Sequence, residues 1–228
     1  MGAGTFLNTI TPQDIGGINT SLDYFFDNNR IARVLATFTN TTGSSQGLEV
    51  LYGGDLGSDS GTVIENSSSG DNVFQQSDRW FISSDTAPFD DPILTFVRYG
   101  LGNVEVALDT FAIPGTDSGN GYTDYFTDVW NLTIGAGETQ RLMWFVQMNE
   151  DLNTALSETT KFDDLTSLSN AGLLEGLDAT TQGEIVNWSS SPQSTPEPSI
   201  LFGLGALVLL GGVTKRKGKD KDDHLEKE

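Results

Sequence analysis

The stretch DVWNLTIGAGETQRLMWFVQM, residues 128–148, has the clearest strand pattern in the chain. Apolar side chains occupy every second position on both sides of the piece GAGET: Trp130, Leu132 and Ile134 before it, and Leu142, Trp144, Val146 and Met148 after it. This alternation is typical of strands with one buried face, and Arg141 and Gln147 mark the other face of the second strand. Because glycine readily adopts the positive φ of tight turns, the stretch predicts a β-hairpin.

Similar alternation recurs in four other stretches: RVLATFT (33–39), LEVLY (48–52), ILTFVRY (93–99) and NVEVAL (103–108). Loops rich in Gly, Ser, Asn and Asp separate them. Short strands spaced by about ten residues favour antiparallel sheets over alternating β and α units. We therefore predict a mainly β fold, an antiparallel β-sandwich with jelly-roll-like connections.

The pattern changes after Asn149, where apolar residues recur three or four positions apart, as on one face of a short helix. We expect these helices to lie against the sandwich and to shield an edge or an end of it. The next residues, 189–199, read SSSPQSTPEPS and contain three prolines and no large apolar side chain. A segment of this composition cannot bury enough surface to fold, so it predicts a disordered linker.

The chain is strongly acidic, with 32 Asp and Glu against 12 Lys and Arg and a formal net charge of −20. Sequence-independent nucleic-acid binding depends on Lys and Arg that neutralise phosphates, so we expect no nucleic-acid partner. The chain has no cysteine, and its one histidine, His224, lies among charged residues near the carboxyl end. This composition argues against disulfides, zinc–thiolate sites and Ser-His-Asp catalysis.

An apolar run without polar side chains, ILFGLGALVLLGGV, covers residues 200–213, and Lys215, Arg216 and Lys217 follow it after one threonine. With its two flanking residues the run gives a helix of about 24 Å, somewhat shorter than a hydrocarbon core of about 30 Å. Basic side chains that reach the interface can cover the difference. A buried core helix is the alternative, but the preceding linker and the basic cluster favour a transmembrane helix.

Lys and Arg beside a transmembrane helix stay in the cytoplasm, so residues 1–198 are predicted to lie on the outer side of the membrane. The chain then divides into four parts. Residues 1–188 form a β-sandwich ectodomain with a helical appendage from about residue 150, and residues 189–199 form the linker. Residues 200–214 form the transmembrane helix, and residues 215–228 form a charged cytoplasmic tail.

The order of Pro196, Glu197 and Pro198, a short apolar segment and the basic cluster 215–217 resembles the PEP-CTERM sorting signal of bacterial exported proteins. The resemblance covers about residues 195–217, and the additional tail GKDKDDHLEKE departs from the usual pattern. It implies a Gram-negative-type bacterium and Sec export to the cell envelope. It also implies recognition of Pro196, Glu197 and Pro198 by the sorting enzyme exosortase. The basic cluster then acts as the stop signal at the inner membrane, before delivery to the cell surface or an exopolysaccharide matrix.

The amino terminus, MGAGTFLNTITPQDIGG, lacks the basic region and the apolar region of a secretory signal. If the protein is exported, we therefore expect the chain to be either the mature form or one that begins at the wrong methionine.

Acidic loops provide candidate metal ligands. The candidates are Asp55 and Asp59 in GGDLGSDSG, Asp85, Asp90 and Asp91 in SSDTAPFDD, and Asp117, Asp124 and Asp128 in TDSGNGYTDYFTD. Calcium takes six to eight oxygen ligands, which such loops can supply together at one end of a sandwich. Solvated turns are the favoured alternative, since Asp is common in turns and no stretch has the EF-hand spacing. We expect no cofactor, with calcium bound at Asp55, Asp59, Asp90 and Asp91 as the one candidate.

Four aromatic residues, Trp80, Tyr122, Tyr125 and Trp130, are candidates for a platform that stacks on sugars, although the alternation around Trp130 favours the core. Carboxylate pairs are easy to find by chance among 32 acids, and no motif singles one out. We therefore predict a non-catalytic surface or matrix protein and no enzyme. The alternative is a calcium-dependent carbohydrate-binding module or a small extracellular hydrolase, with polysaccharide as the partner.

Overall fold

Strands make up most of the residues that the computed structural model describes, which are 5–27, 30–55, 62–85, 92–101, 107–112 and 125–189. The strands are β1 (Thr5–Ile15), β2 (Ile18–Phe26), β3 (Ile31–Asn40), β4 (Gln46–Asp55), β5 (Thr62–Ser67), β6 (Trp80–Asp85), β7 (Ile93–Val97), β8 (Ala107–Ala112), β9 (Tyr125–Ile134) and β10 (Thr139–Asn149). The helices are α1 (Leu152–Glu158), a 3₁₀ turn (Thr159–Phe162), α2 (Leu165–Asn170) and α3 (Ala179–Gly183).

These strands form two antiparallel sheets. The larger sheet has seven strands in the order β1-β2-β3-β10-β7-β6-β5, and the smaller has three in the order β4-β9-β8. Each strand pairing within the two sheets is antiparallel. The predicted mainly β, antiparallel fold is therefore confirmed.

The predicted hairpin over residues 128–148 is wrong, although both of its strands exist. β9 pairs with β4 and β8 in the small sheet, whereas β10 pairs with β3 and β7 in the large one. The turn between them carries the chain from one sheet to the other. The apolar faces of the two strands pack against each other across the sheets, through Trp130, Leu132, Leu142 and Trp144. Facing sheets bury both apolar faces at once, while a hairpin would set them side by side on one sheet.

β10 is also more deeply buried than its alternation predicted. Met143 and Phe145 face away from the small sheet and are fully buried in a second core, together with Phe162 and Trp188. This core lies between the large sheet and the helical segment, residues 151–189. The described body therefore has three layers. The expectation that the helices shield an edge or an end is wrong, because they cover a face of the large sheet.

The end of the helical segment is hydrogen-bonded directly to β10. Asn187 accepts a hydrogen bond from the Met143 amide at 2.9 Å and donates to the Met143 carbonyl at 2.8 Å and the Arg98 carbonyl at 2.9 Å. Trp188 Nε1 donates to the same Met143 carbonyl at 2.8 Å. These bonds satisfy the backbone of β10 where β7 no longer runs beside it.

The side chain of Asn40, at the end of β3, hydrogen-bonds to both nearby connections between the sheets. Its side-chain nitrogen donates to the carbonyls of Ser44 at 2.8 Å and of Ile134 and Gly135 at 3.0 Å each. Its side-chain oxygen accepts from the Thr42 amide at 2.9 Å and from the Thr42 hydroxyl at 2.7 Å. One fully buried carboxamide thus bonds both the β3–β4 and the β9–β10 connection.

Replacing Asn40 with alanine is expected to lower the free energy of unfolding by about 2–4 kcal/mol, because the backbone of both connections loses a fully buried hydrogen-bonding side chain. Asn131→Ala is the matched control, since Asn131 is exposed on β9. This control is expected to change stability by no more than about 0.5 kcal/mol. Urea denaturation measures both values, and equal unfolding midpoints for the two variants would contradict the role given to Asn40.

Candidate functional site

A cleft of about 600 Å³ opens between the two sheets beside β4. Its floor is the inner face of the large sheet, and the side chains that form it are Leu22, Tyr24, Val34, Ala36, Phe38 and Trp144. On β2 and β3 these residues are two positions apart, so they all point to the same face. The volume falls within the range of about 300–1,000 Å³ that is usual for ligand sites. The floor is mostly apolar.

β4 forms the wall of the cleft. The residues that line it are consecutive: Leu48, Glu49, Val50, Leu51, Tyr52 and Gly53. Successive side chains of a strand point to opposite faces, so a cleft that touches all of them lies along the strand's edge. β4 pairs with β9 on its other side and has no second partner among the described strands.

Exposed apolar side chains mark the rim. Leu51 on β4 is 65% exposed and Ile15 at the end of β1 is 58% exposed, and both line the cleft. Large apolar side chains that gather at one opening are characteristic of interaction surfaces.

An aromatic pair lies where the floor meets the wall. The rings of Tyr52 and Trp144 are stacked, with centroids 4.2 Å apart and planes at 7°. Burial raises the pKa of Tyr52, and the neighbouring negative charge of Asp128 raises it further, so its phenol stays neutral. Trp144 Nε1 is buried and has no hydrogen-bond partner within the described part of the chain.

The residues that line the cleft are mostly apolar, and such a lining suits the binding of a ligand. Of the described residues that line the cleft, Glu49 is the only carboxylate. A glycosidase holds two carboxyl groups across its substrate, and this lining does not supply such a pair. What the cleft offers instead is apolar contact along one face and a strand edge along one side.

The residues predicted as sites from the sequence lie mostly outside the described ranges. Asp55 is the last residue of β4, but its side chain is not described, and Asp59, Asp90 and Asp91 are outside altogether. Across the described residues, no three His, Asp or Glu side chains gather as metal ligands would. Calcium binding stays a prediction.

The residues of the sorting signal, Pro196, Glu197 and Pro198, and the basic cluster Lys215, Arg216 and Lys217 are likewise outside the described ranges. So is the apolar segment 200–214. None of the helices formed by the described residues is long and apolar enough to cross a membrane.

Asp128 is a buried strand residue and does not lie in a solvated turn. It lies within β9, its side chain is fully buried, and its Oδ2 accepts from Arg98 Nε at 2.7 Å. Arg98 also donates to the carbonyl oxygens of Gln75, Gln76 and Asp78. The ion pair connects the end of β7 in the large sheet to β9 in the small one. The interpretation of Asp128 as a solvated turn residue is therefore wrong.

Two of the four residues of the predicted aromatic platform, Trp80 and Trp130, are buried. Trp130 is buried between the sheets, as its alternation predicted, with its ring edge-on to Tyr99 and Trp144. Trp80 is buried in the core beneath the helical segment, so it is unavailable to a ligand. Tyr122 and the side chain of Tyr125 are outside the described part.

The β1–β2 hairpin, which extends the floor of the cleft, was not among the strands predicted individually. Its signal was nevertheless present, because Gly16 and Gly17 stand between Ile15 and Ile18. Both glycines have positive φ, 63° and 91°, as a two-residue hairpin turn requires.

Comparison with known protein families finds no match, and comparison with curated proteins finds none. Function is therefore inferred from this chain's own residues.

Replacing Asp128 with asparagine is expected to lower the free energy of unfolding by about 3–5 kcal/mol, because Arg98 keeps its charge in the core without its counterion. The control is Glu150→Gln at the exposed Arg30–Glu150 pair, whose side chains are 54% and 76% exposed. Glu150→Gln is expected to lower the free energy of unfolding by at most about 1 kcal/mol. Chemical denaturation of both variants tests this, and losses of similar size would count against a structural role for the buried pair.

Proposed function

We propose that the chain is a bacterial exported protein that acts without catalysis at the cell surface or in an exopolysaccharide matrix. The observation that carries this proposal is the order of Pro196-Glu197-Pro198, the apolar residues 200–213 and the basic residues 215–217, placed after the folded body. The body is still hydrogen-bonded at Ser189, whose hydroxyl donates to the Leu101 carbonyl at 2.7 Å. Ser189 is the first residue of the segment predicted as the linker, and its proline-rich part, residues 190–199, follows directly in the sequence.

In this proposal the apolar segment 200–214 is a transmembrane helix of the inner membrane and exosortase acts at Pro196, Glu197 and Pro198. The basic cluster holds the tail 215–228 on the cytoplasmic side, since Lys and Arg beside a membrane helix resist translocation. Residues 1–188, joined by the linker 189–199, lie outside. The strong negative charge of the body supports an outer location for residues 1–188. An acidic body is not retained by the anionic lipid surface of the cytoplasmic leaflet.

We also propose that the body is a jelly-roll-like β-sandwich. The chain passes between the sheets from β3 to β4, from β4 to β5, from β7 to β8 and from β9 to β10. β3 and β7 both pair with β10, while β4 and β8 both pair with β9. Pairs of strands that wrap together across two sheets support a jelly roll, to which the β1–β2 and β5–β6 hairpins are additions.

The mostly apolar lining of the cleft supports the non-catalytic part of the proposal. The alternative, a calcium-dependent carbohydrate-binding module or small hydrolase, stays a prediction from the acidic loops. Melting the protein with calcium and with a chelator tests its calcium version, because a bound ion raises the melting temperature.

Cell fractionation in the source bacterium tests the sorting signal. The protein expressed from its own locus is expected at the surface or in the matrix, in a form shorter than the variant in which Pro196, Glu197 and Pro198 are all replaced by alanine. That variant is expected to accumulate at full length in the inner membrane, because the sorting enzyme no longer recognises it.

The matched control replaces Pro192 with alanine, which alters the same linker outside the tripeptide, and normal sorting is expected. Full-length protein in the cytosol, unchanged when residues 195–217 are deleted, would refute the proposal.

A further inference from the structure

We propose that the cleft is a docking site for an extended peptide segment of a partner protein. The segment pairs with the edge of β4 that no other described strand occupies and becomes a fourth strand of the small sheet. This inference concerns the described body and does not depend on where the protein is exported.

The shape of the cleft matches a strand. The six consecutive residues Leu48–Gly53 border it, which corresponds to a length of about 20 Å at about 3.3 Å per residue. A strand edge presents a row of backbone donors and acceptors along that length, and an added strand satisfies them. A globular ligand would leave most of the row unpaired.

The floor of the cleft provides room for alternate side chains of the added strand. Leu22 and Tyr24 on β2 and Val34 and Ala36 on β3 face it, as do Phe38 and Trp144. β4 itself turns Val50 and Tyr52 toward the same core. A peptide strand in the plane of β4 has the same pleat, so every second side chain points down to this apolar floor. The peptide therefore needs apolar residues at alternate positions.

A second copy of the protein cannot occupy the cleft by pairing its own β4 with this one. Two copies joined edge to edge at β4 would form one continuous small sheet. The β1–β2 hairpin of each copy continues beneath the position of the added strand. Both hairpins would then occupy the same space, so a single extended segment is the occupant that the cleft admits.

The negative charge of the protein predicts which residues of the peptide lie between its apolar residues. Glu49 is exposed on β4 and lines the cleft, and the whole chain carries a net charge of −20. Opposite charges on neighbouring strands stabilise pairing, and like charges destabilise it. A negative protein also attracts a basic partner at long range. We therefore expect Lys or Arg at the positions of the peptide that face solvent.

The test uses a synthetic peptide of about eight residues, with valine alternating with lysine and threonine, and the same peptide with a central proline. Nuclear magnetic resonance follows amide hydrogen exchange in the full chain. Binding of the first peptide is expected to slow exchange at those amides of Leu48–Gly53 that point away from β9. The proline peptide is expected to bind at least tenfold more weakly, because it cannot complete the ladder.

Two variants test whether the peptide binds in the cleft. Leu22→Arg puts a positive charge on the floor and is expected to weaken binding at least tenfold. Val73→Arg is the matched control, since Val73 is an exposed apolar residue that does not line the cleft, and unchanged affinity is expected. Circular dichroism confirms that both variants are folded. If Leu22→Arg does not fold, Glu49→Lys replaces it and should favour a peptide with glutamate in place of lysine.

Three results would overturn the proposal. One is no binding of the valine–lysine–threonine peptide, and another is binding that Leu22→Arg or Glu49→Lys leaves unchanged. The third is binding of decane, tested as a small apolar probe, that shifts floor signals and displaces the peptide without slowing exchange at β4. That result would identify a site for small apolar molecules.

Discussion

The carboxamide of Asn40 hydrogen-bonds two connections that run between the sheets, and it adds a polar constraint to the apolar core between them. Connections that pass from one sheet to another leave backbone groups outside the ladders, and buried groups of this kind need partners. Asn40 provides them for both connections at its end of the molecule, through the carbonyls of Ser44, Ile134 and Gly135. The Arg98–Asp128 ion pair acts near the other end of β9. The small sheet is thus fastened at both ends of its central strand, and its edge β4 is held above the floor of the cleft.

The helical segment, residues 151–189, is part of the folded body because it shares a core with one face of the large sheet. The large sheet is covered by the small sheet on one face and by residues 151–189 on the other. Met143 shows the connection most clearly, because its side chain is in the core while its backbone bonds to Asn187 and Trp188. Without the helical segment, Met143 and Phe145 would lie at the surface and the carbonyl of Met143 would lose these partners.

The sequence pattern located strands such as β3, β9 and β10 but not their partners, for a physical reason. Alternation determines which face of β9 or β10 is apolar, but it carries no information about which strand lies beside it. The uninterrupted run LMWFV, residues 142–146, was nevertheless a signal of burial on both faces. Asp128 gave a signal too, since it shares the buried face of β9 with Phe126 and Trp130, and a charge on a buried face needs a partner. The cleft depends on how far one sheet is offset from the other, which no local pattern specifies.

The proposed surface or matrix protein then has a strand edge, that of β4, which opens beside an apolar floor and pairs with no second strand among the described residues. Its acidic charge, apolar floor and free edge suit an extended basic partner, and its cleft lacks the paired carboxylates that glycoside hydrolysis requires. The most direct measurement is amide hydrogen exchange in the free protein, resolved by residue along β4 and β10. The account predicts alternating protection over Leu48–Gly53, with fast exchange at every amide that faces the cleft and slow exchange throughout the centre of β10. Uniform slow exchange along β4 would contradict it, because the edge would then already be paired.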